Sequence, residues 1–158
     1  MTDYFPSNLP LKSIPHSKKT VNTPMVETGD SSGKLALTIA QAASERKAGE
    51  ILLLKVTDVS YLSDYFLVMT GYSRVQVRAI SSAIEEKVQT ELERRPLRTE
   101  GKGEGSWVLQ DYGDVIVHIM MPKEREFYNL EAFWSHAEHI PLKNPKDLED
   151  DPNDKIFG

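Results

Sequence analysis

The chain has 158 residues, 39% of them hydrophobic and 27% charged, which is typical of one soluble globular domain. It contains no cysteine, and this excludes a disulfide-stabilised scaffold and a thiolate metal site. The net charge of −5 disfavours direct contact with nucleic acid, which needs clustered Lys and Arg, and it favours a basic protein partner.

The two ends of the chain differ in composition from its centre. Of the nine prolines, four lie in residues 1–33 and three in residues 141–158. We expect a flexible N-terminal tail over 1–33, a folded domain over 34–140 and an acidic flexible tail over 141–158. The apolar runs, such as residues 51–54, are too short to span a membrane. The N-terminal residues resemble neither a signal peptide nor an Arg-rich transit peptide, so we expect a cytoplasmic protein.

The first predicted elements are a helix and two strands. One helix face is indicated by the spacing of Leu35, Ile39 and Ala42. Gly49 stands where the C-terminal cap of this helix is expected. Residues 51–56 predict a strand covered on both faces, and residues 65–70 predict a second strand.

The second half predicts a longer helix, three short strands and a final helix. Ser73 and Gln76 form a capping-box signature, and the apolar stripe that follows ends before Pro96. Strands are predicted near residues 97–100, over 108–112 and over 115–121, and a helix over about 123–138. The order αββαβββα predicts an α/β (α+β) fold, a mixed sheet with helices packed on it.

Candidate catalytic and metal-binding groups are few. His136 and His139 could share a helix face, but zinc needs three or four ligands, so solvent-facing histidines are favoured. For His118, in mid-strand, a buried and hydrogen-bonded role is favoured over catalysis. Asp111 and Asp114 flank a turn, where Asp is common, and the turn role is favoured over acid–base work.

Two glycine-containing segments have simple interpretations. Residues 71–73 precede a helix as a phosphate-binding turn would, but neither a following Lys nor paired carboxylates for metal ions accompany them. Asp58 and Asp64 do not lie where a metal-binding pair beside this turn would be needed, so helix capping is the favoured role of residues 71–73. Residues 101–105 are interpreted as a plain mobile loop. The sequence therefore predicts no catalytic residue, cofactor or metal site.

Residues 106–134 hold both tryptophans, two of the six tyrosines and two of the five phenylalanines. Strand alternation predicts that Trp107 and Leu109 share one face of the sheet. Core packing is favoured for Phe127, Leu130 and Trp134, which share a helix face. For Trp107 and Tyr128, core packing and an exposed anchoring role stay equally open, because Trp and Tyr dominate binding hot spots.

Three segments resemble the Iojap-type ribosomal silencing factors: SDYFLVMTGYS at 63–73, WVLQDYGDVIVH at 107–118 and REFYNLE at 125–131, followed by Trp134. The resemblance covers about residues 35–138. It implies a nucleotidyltransferase-like fold without catalytic carboxylates, and a protein that binds the large ribosomal subunit through its fourteenth protein. It further implies a non-enzymatic translational repressor that sterically blocks joining of the small subunit when nutrients are scarce.

The resemblance also implies a contact surface, made here by Trp107, Leu109, Tyr112, Arg125 and Tyr128. A ribosomal protein is typically basic, so an acidic binder is electrostatically reasonable. Two alternatives stay open. One is a nucleotidyltransferase-like enzyme or nucleotide-binding protein, and the other is a homodimer that uses the same aromatic face.

Overall fold

The structure is a computed structural model, and it describes residues 30–57 and 63–142. The helices are α1 (Ser31–Glu45), α2 (Arg74–Leu92), α3 (Pro122–Tyr128) and α4 (Leu130–Phe133). The strands are β1 (Gly49–Lys55), β2 (Tyr65–Thr70), β3 (Arg98–Glu100), β4 (Trp107–Asp111), β5 (Val115–Met120) and β6 (Glu138–Ile140). Helix α1 therefore includes residues 31–33, which the sequence placed in the N-terminal tail; most of both predicted tails lies outside the described residues.

The six strands form one mixed sheet in the order β3-β4-β5-β2-β1-β6. Strands β2 and β5 pair in parallel at its centre, and the other pairs are antiparallel. The chain passes from β2 to β5 through α2, β3 and β4, and α2 lies against the sheet together with α1. The predicted mixed α+β fold is confirmed.

Helices α1 and α2 cover one face of the sheet and enclose the main core. The side chain of Asp30 caps α1 by accepting from the Ser32 amide at 3.0 Å. Ser73 caps α2 by accepting from the Gln76 amide at 3.0 Å, and Gln76 Oε1 accepts from the Tyr72 amide in return. The predicted cap by Ser73 is confirmed, and the reciprocal bond of the capping box reaches the Tyr72 amide instead of the Ser73 amide. The helix faces that the apolar spacing indicated are confirmed as well. Leu92 is partly buried, and the other positions are buried: Leu35, Ile39, Ala42, Val77, Ile80, Ile84 and Val88.

The end of the domain differs from the single helix predicted over 123–138. Helix α3 ends because Asn129 adopts the left-handed conformation (φ 44°), which Asn tolerates better than most residues. Helix α4 is then one turn long, and Glu138–Ile140 forms the edge strand β6 against β1. The prediction of one continuous helix was therefore wrong, because the backbone breaks at Asn129, is helical again only over Leu130–Phe133 and ends in a strand.

Gly49 does not cap α1, as the sequence predicted, but is the first residue of β1. The helix ends at Glu45, and Lys47 supplies the positive φ of 62°. A Cβ on Gly49 would collide with the hydroxyl of Tyr72. Gly49 therefore permits close approach of the Tyr72 ring to the strand.

The glycine segment 101–105, expected as a plain mobile loop, is bound to α2. The Gly105 amide donates to the Gly101 carbonyl at 2.9 Å and closes the turn. The Arg78 guanidinium donates to the carbonyls of Lys102, Gly103 and Glu104 at 3.1 to 3.4 Å. The loop is thus fastened immediately before β4 begins.

Candidate partner-binding surface

The sheet face opposite α1 and α2 carries a smaller core and a row of aromatic rings. Residues of β1, β2 and β5 form this minor core with Ala137, and the partly buried side chains of Leu109 and Trp134 pack against it. The segment from α3 to Ala137 lies over part of this face. This face therefore combines buried packing with side chains that stay accessible.

The aromatic row consists of six rings in sequence of contact: Phe127, Tyr128, Trp107, His118, Phe66 and Trp134. Adjacent ring centroids lie 4.9, 4.8, 5.8, 5.5 and 5.0 Å apart, in that order. All neighbours are tilted or edge-on, which are favourable arrangements for aromatic rings. The row begins in solvent at Phe127 and ends in the minor core, so packing at one end supports the exposed end.

Strand β4 places Trp107 and Leu109 on this face, while Val108 and Gln110 point toward the helices. Val108 and Gln110 are fully buried, and Trp107 and Leu109 are half-buried. The predicted alternation is confirmed. The indole N–H of Trp107 donates to Nδ1 of His118 at 3.0 Å.

His118 is 7% exposed and lies between the rings of Phe66 and Trp107. Burial lowers the pKa of His118 to about 4, because the protonated ring would lose its hydration. The ring is therefore neutral near pH 7. The predicted buried, hydrogen-bonded histidine is confirmed.

The accessible end of the row lies on α3. Phe127 is 78% exposed and Tyr128 is substantially exposed, while Phe133 of α4 is exposed as well. The prediction of Phe127 as a core residue was wrong, because the break at Asn129 ends the helix before its predicted face could dock. Trp134 does pack on Phe66, as expected, and Leu130 is half-buried.

Arg125 fastens α3 to the sheet instead of presenting its charge to solvent. Its side chain is 11% exposed and donates to the Glu131 carboxylate at 3.1 Å, to Thr70 Oγ1 at 2.9 Å and to the Glu50 carbonyl at 2.7 Å. A charge with this many fixed acceptors has little freedom to meet a partner. Arg125 thus supports the surface, and its expected role as a contact stays a prediction.

Tyr112, expected at the contact surface, is a core residue with 2% exposure. It follows β4 in register with Val108 and Gln110, so its ring faces α2 and the main core. Its buried hydroxyl has no hydrogen-bond partner, and burial raises its pKa. Strand alternation already separates Tyr112 from Trp107 and Leu109, so the contact role that the resemblance implied for it was wrong.

The carboxylates near the hairpin have structural roles. Asp111 accepts from the Gly113 amide at 2.8 Å, which confirms its predicted turn role. Asp114 forms a two-point ion pair with Arg94 at 2.8 and 3.1 Å, and it also accepts from the Ser32 hydroxyl at 2.8 Å. These contacts join α1 and the residues after α2 to the hairpin.

Other candidate sites carry no comparable arrangement. Within residues 30–57 and 63–142, no three side chains of His, Cys, Asp or Glu converge as metal ligands. His136 and His139 are both exposed. The described helices include none that is long and apolar enough to cross a membrane.

Comparison with known proteins agrees with the geometry. A family profile described as "Ribosomal silencing factor during starvation" matches residues 29–156. The chain is 41% identical over 105 residues to "Ribosomal silencing factor RsfS" of Bacillus subtilis, which covers 66% of this chain and 88% of that protein. The chain is also 38% identical over 121 residues to "Protein Iojap, chloroplastic" of Zea mays, and this match covers 75% of the chain.

The match spans about half, 52%, of the length of that maize protein. A crystal structure from Bacillus halodurans is similar with a TM-score of 0.61 and 34% identity, covering 69% of this chain and 98% of the other. The similarity thus extends from the sequence to the fold.

Proposed function

We propose, since this chain belongs to the family of ribosomal silencing factors, that it is a translational repressor acting on the large ribosomal subunit. It binds the fourteenth protein of that subunit and sterically blocks joining of the small subunit when nutrients are scarce. The setting we propose is the cytoplasm. Repression by exclusion requires a firmly placed domain and no catalytic step.

The observation that carries this proposal is the accessible end of the aromatic row. Trp107, Tyr128 and Phe127 form consecutive ring contacts, and Leu109 lies on the same sheet face as Trp107. Large rings that are already packed against one another lose little conformational freedom on binding. Such pre-positioned Trp and Tyr side chains are the usual anchors of protein interfaces.

Electrostatics supports a basic partner. The chain carries a net charge of −5, and the exposed Glu126 directly precedes Phe127 on α3. Arg125, the cation nearest to this part of α3 in sequence, is bound to Glu131 and the sheet. An acidic chain with an accessible aromatic surface is complementary to a basic ribosomal protein, which would also speed association.

Sedimentation through a sucrose gradient tests the proposal. The protein should migrate with free large subunits, and adding it should reduce the fraction of joined ribosomes. Trp107→Ala should weaken binding by about 2 kcal/mol or more, as expected for a hot spot. The matched control is Leu97→Ala, because Leu97 is 75% exposed but precedes β3, beside the opposite end of β4.

Two outcomes would contradict the proposal. Wild-type protein that stays at the top of the gradient has no affinity for the large subunit. Equal effects of Trp107→Ala and Leu97→Ala would mean that the aromatic row is not the binding surface. Light scattering at two concentrations then distinguishes a homodimer formed through the same rings.

A further inference from the structure

We propose that His118 is a positioning residue for the partner surface, acting through the indole of Trp107. This inference rests on the proposed function and adds a buried residue to it. His118 itself is 7% exposed, so its contribution to a partner is made through Trp107. Strand register, a hydrogen bond and the neighbouring rings connect His118 to Trp107.

Strand register brings the two side chains together. In the antiparallel pair of β4 and β5, Leu109 lies opposite His118, and Trp107 lies opposite Met120. Trp107 and His118 are therefore diagonal neighbours on one face, within reach of large side chains. The resulting Nε1–Nδ1 distance of 3.0 Å is a normal hydrogen bond.

The bond requires a particular state of the histidine. Indole is a donor without an acceptor, so Nδ1 of His118 must carry no proton. The ring lies between Phe66 and Trp107, with centroid distances of 5.5 and 5.8 Å, and this apolar packing favours a neutral imidazole. His118 is thus held both in position and as an acceptor.

The consequence is a defined orientation of Trp107. Its single N–H points inward at His118, so its carbon edge is the part that faces away from the sheet. Tyr128 packs on the same indole at 4.8 Å. The surface therefore suits a partner that offers aliphatic groups or a cation to the ring, because the N–H is already used and cannot serve a hydrogen-bond acceptor.

The first experiment measures the bond without any ribosome. In the Trp134→Phe background one indole N–H remains, and its hydrogen exchange is followed by NMR. His118→Phe keeps a ring but removes the acceptor, so exchange should become at least about tenfold faster. His118→Asn returns an oxygen near the Nδ1 position and should restore part of the protection. Unchanged exchange in His118→Phe would overturn the proposal.

The second experiment is a double-mutant cycle of binding to purified large subunits. His118→Phe should weaken binding about tenfold in the wild type, which corresponds to about 1.4 kcal/mol. In a Trp107→Phe background the same change should weaken it less than about twofold, because the residue through which it acts is already altered. Circular dichroism confirms folding, and His118→Leu replaces His118→Phe if the latter does not fold.

The outcomes separate this inference from the function on which it rests. Equal losses in both backgrounds, or no loss in either, would overturn the role of His118 while leaving large-subunit binding intact. Wild-type protein that fails to bind large subunits would overturn the proposed function and this inference together.

Discussion

The guanidinium of Arg125 donates a 2.7 Å hydrogen bond to the backbone carbonyl of Glu50, and this bond joins α3 to an irregular part of β1. Glu50 has a φ of 43°, a strained value for a residue other than glycine. The helix that presents Tyr128 and Phe127 is therefore positioned through an irregular part of β1, a strand that the central pair of β2 and β5 separates from β4. The partner surface is supported by residues that a partner would not touch.

Replacing Arg125 should destabilise the fold. Arg125→Met leaves the Glu131 carboxylate without its ion pair and the Glu50 carbonyl without a donor, and we expect a loss of about 3 kcal/mol in the free energy of unfolding. Adding Glu131→Gln should recover about 1 kcal/mol, because the uncompensated charge is removed. Urea unfolding measures both. A change below about 0.5 kcal/mol in Arg125→Met would show that the ion pair contributes little to stability.

Phe127→Ala should separate binding from folding. Since Phe127 is 78% exposed, we expect the free energy of unfolding to change by less than about 0.5 kcal/mol. Affinity for large subunits should fall about tenfold if this ring belongs to the interface. Leu97→Ala is the control for loss of an exposed apolar side chain. A destabilisation of about 3 kcal/mol or more would instead show that Phe127 packs in the core.

Tyr112→Phe should leave binding to large subunits unchanged, and it should either preserve or raise the stability of the fold. The Tyr112 hydroxyl is buried without a partner, so removing it relieves a desolvation penalty, which we expect to be worth about 1 kcal/mol. Binding to large subunits should not change, because the ring is 2% exposed. Thermal unfolding and gradient sedimentation provide the two readouts. Weaker binding with unchanged stability would contradict the core assignment.

Stability should decrease on acidification because of His118. Its folded pKa of about 4 lies below the ordinary value of 6.5, so the unfolded chain takes up the proton first as the pH falls. The stabilisation is complete above about pH 6.5 and is lost progressively down to about pH 4, by at most ~3 kcal/mol at ~1.4 kcal/mol per pKa unit. Carboxylates titrate in the same range, so the measurement is the difference in unfolding free energy between wild type and His118→Phe. A difference that does not vary with pH would contradict the depressed pKa.

Patterns that depend on short-range sequence predicted much of this fold. The capping box at Ser73, the apolar stripes of α1 and α2, and the alternation of Trp107 and Leu109 each follow from the spacing of neighbouring residues. Strand β3 was predicted from its position between Pro96 and the glycine segment 101–105. Local chemistry determines these features, so one sequence is enough to recognise them.

Features that depend on a local backbone break or on contacts distant in sequence were missed. The exposure of Phe127 follows from the break at Asn129, and β6 exists because residues 138–140 pair with β1. The hydrogen bonds from Arg125 to Glu50 and Thr70 form only when the sheet has folded. Of the five predicted surface residues, Tyr112 lies in the core, and Arg125 supports α3. Trp107, Leu109 and Tyr128 remain as proposed contacts.

The aromatic row contains both tryptophans of the chain, Trp107 within it and the partly buried Trp134 at the end that packs against the minor core. Intrinsic emission excited at the tryptophan absorption edge therefore originates from this sheet face, without a contribution from the face covered by α1 and α2. A partner that covers Trp107 would change the emission directly, while Trp134 would supply a steadier internal background. The protein thus carries its own optical probe of the proposed interface, and association could be followed in real time without a label.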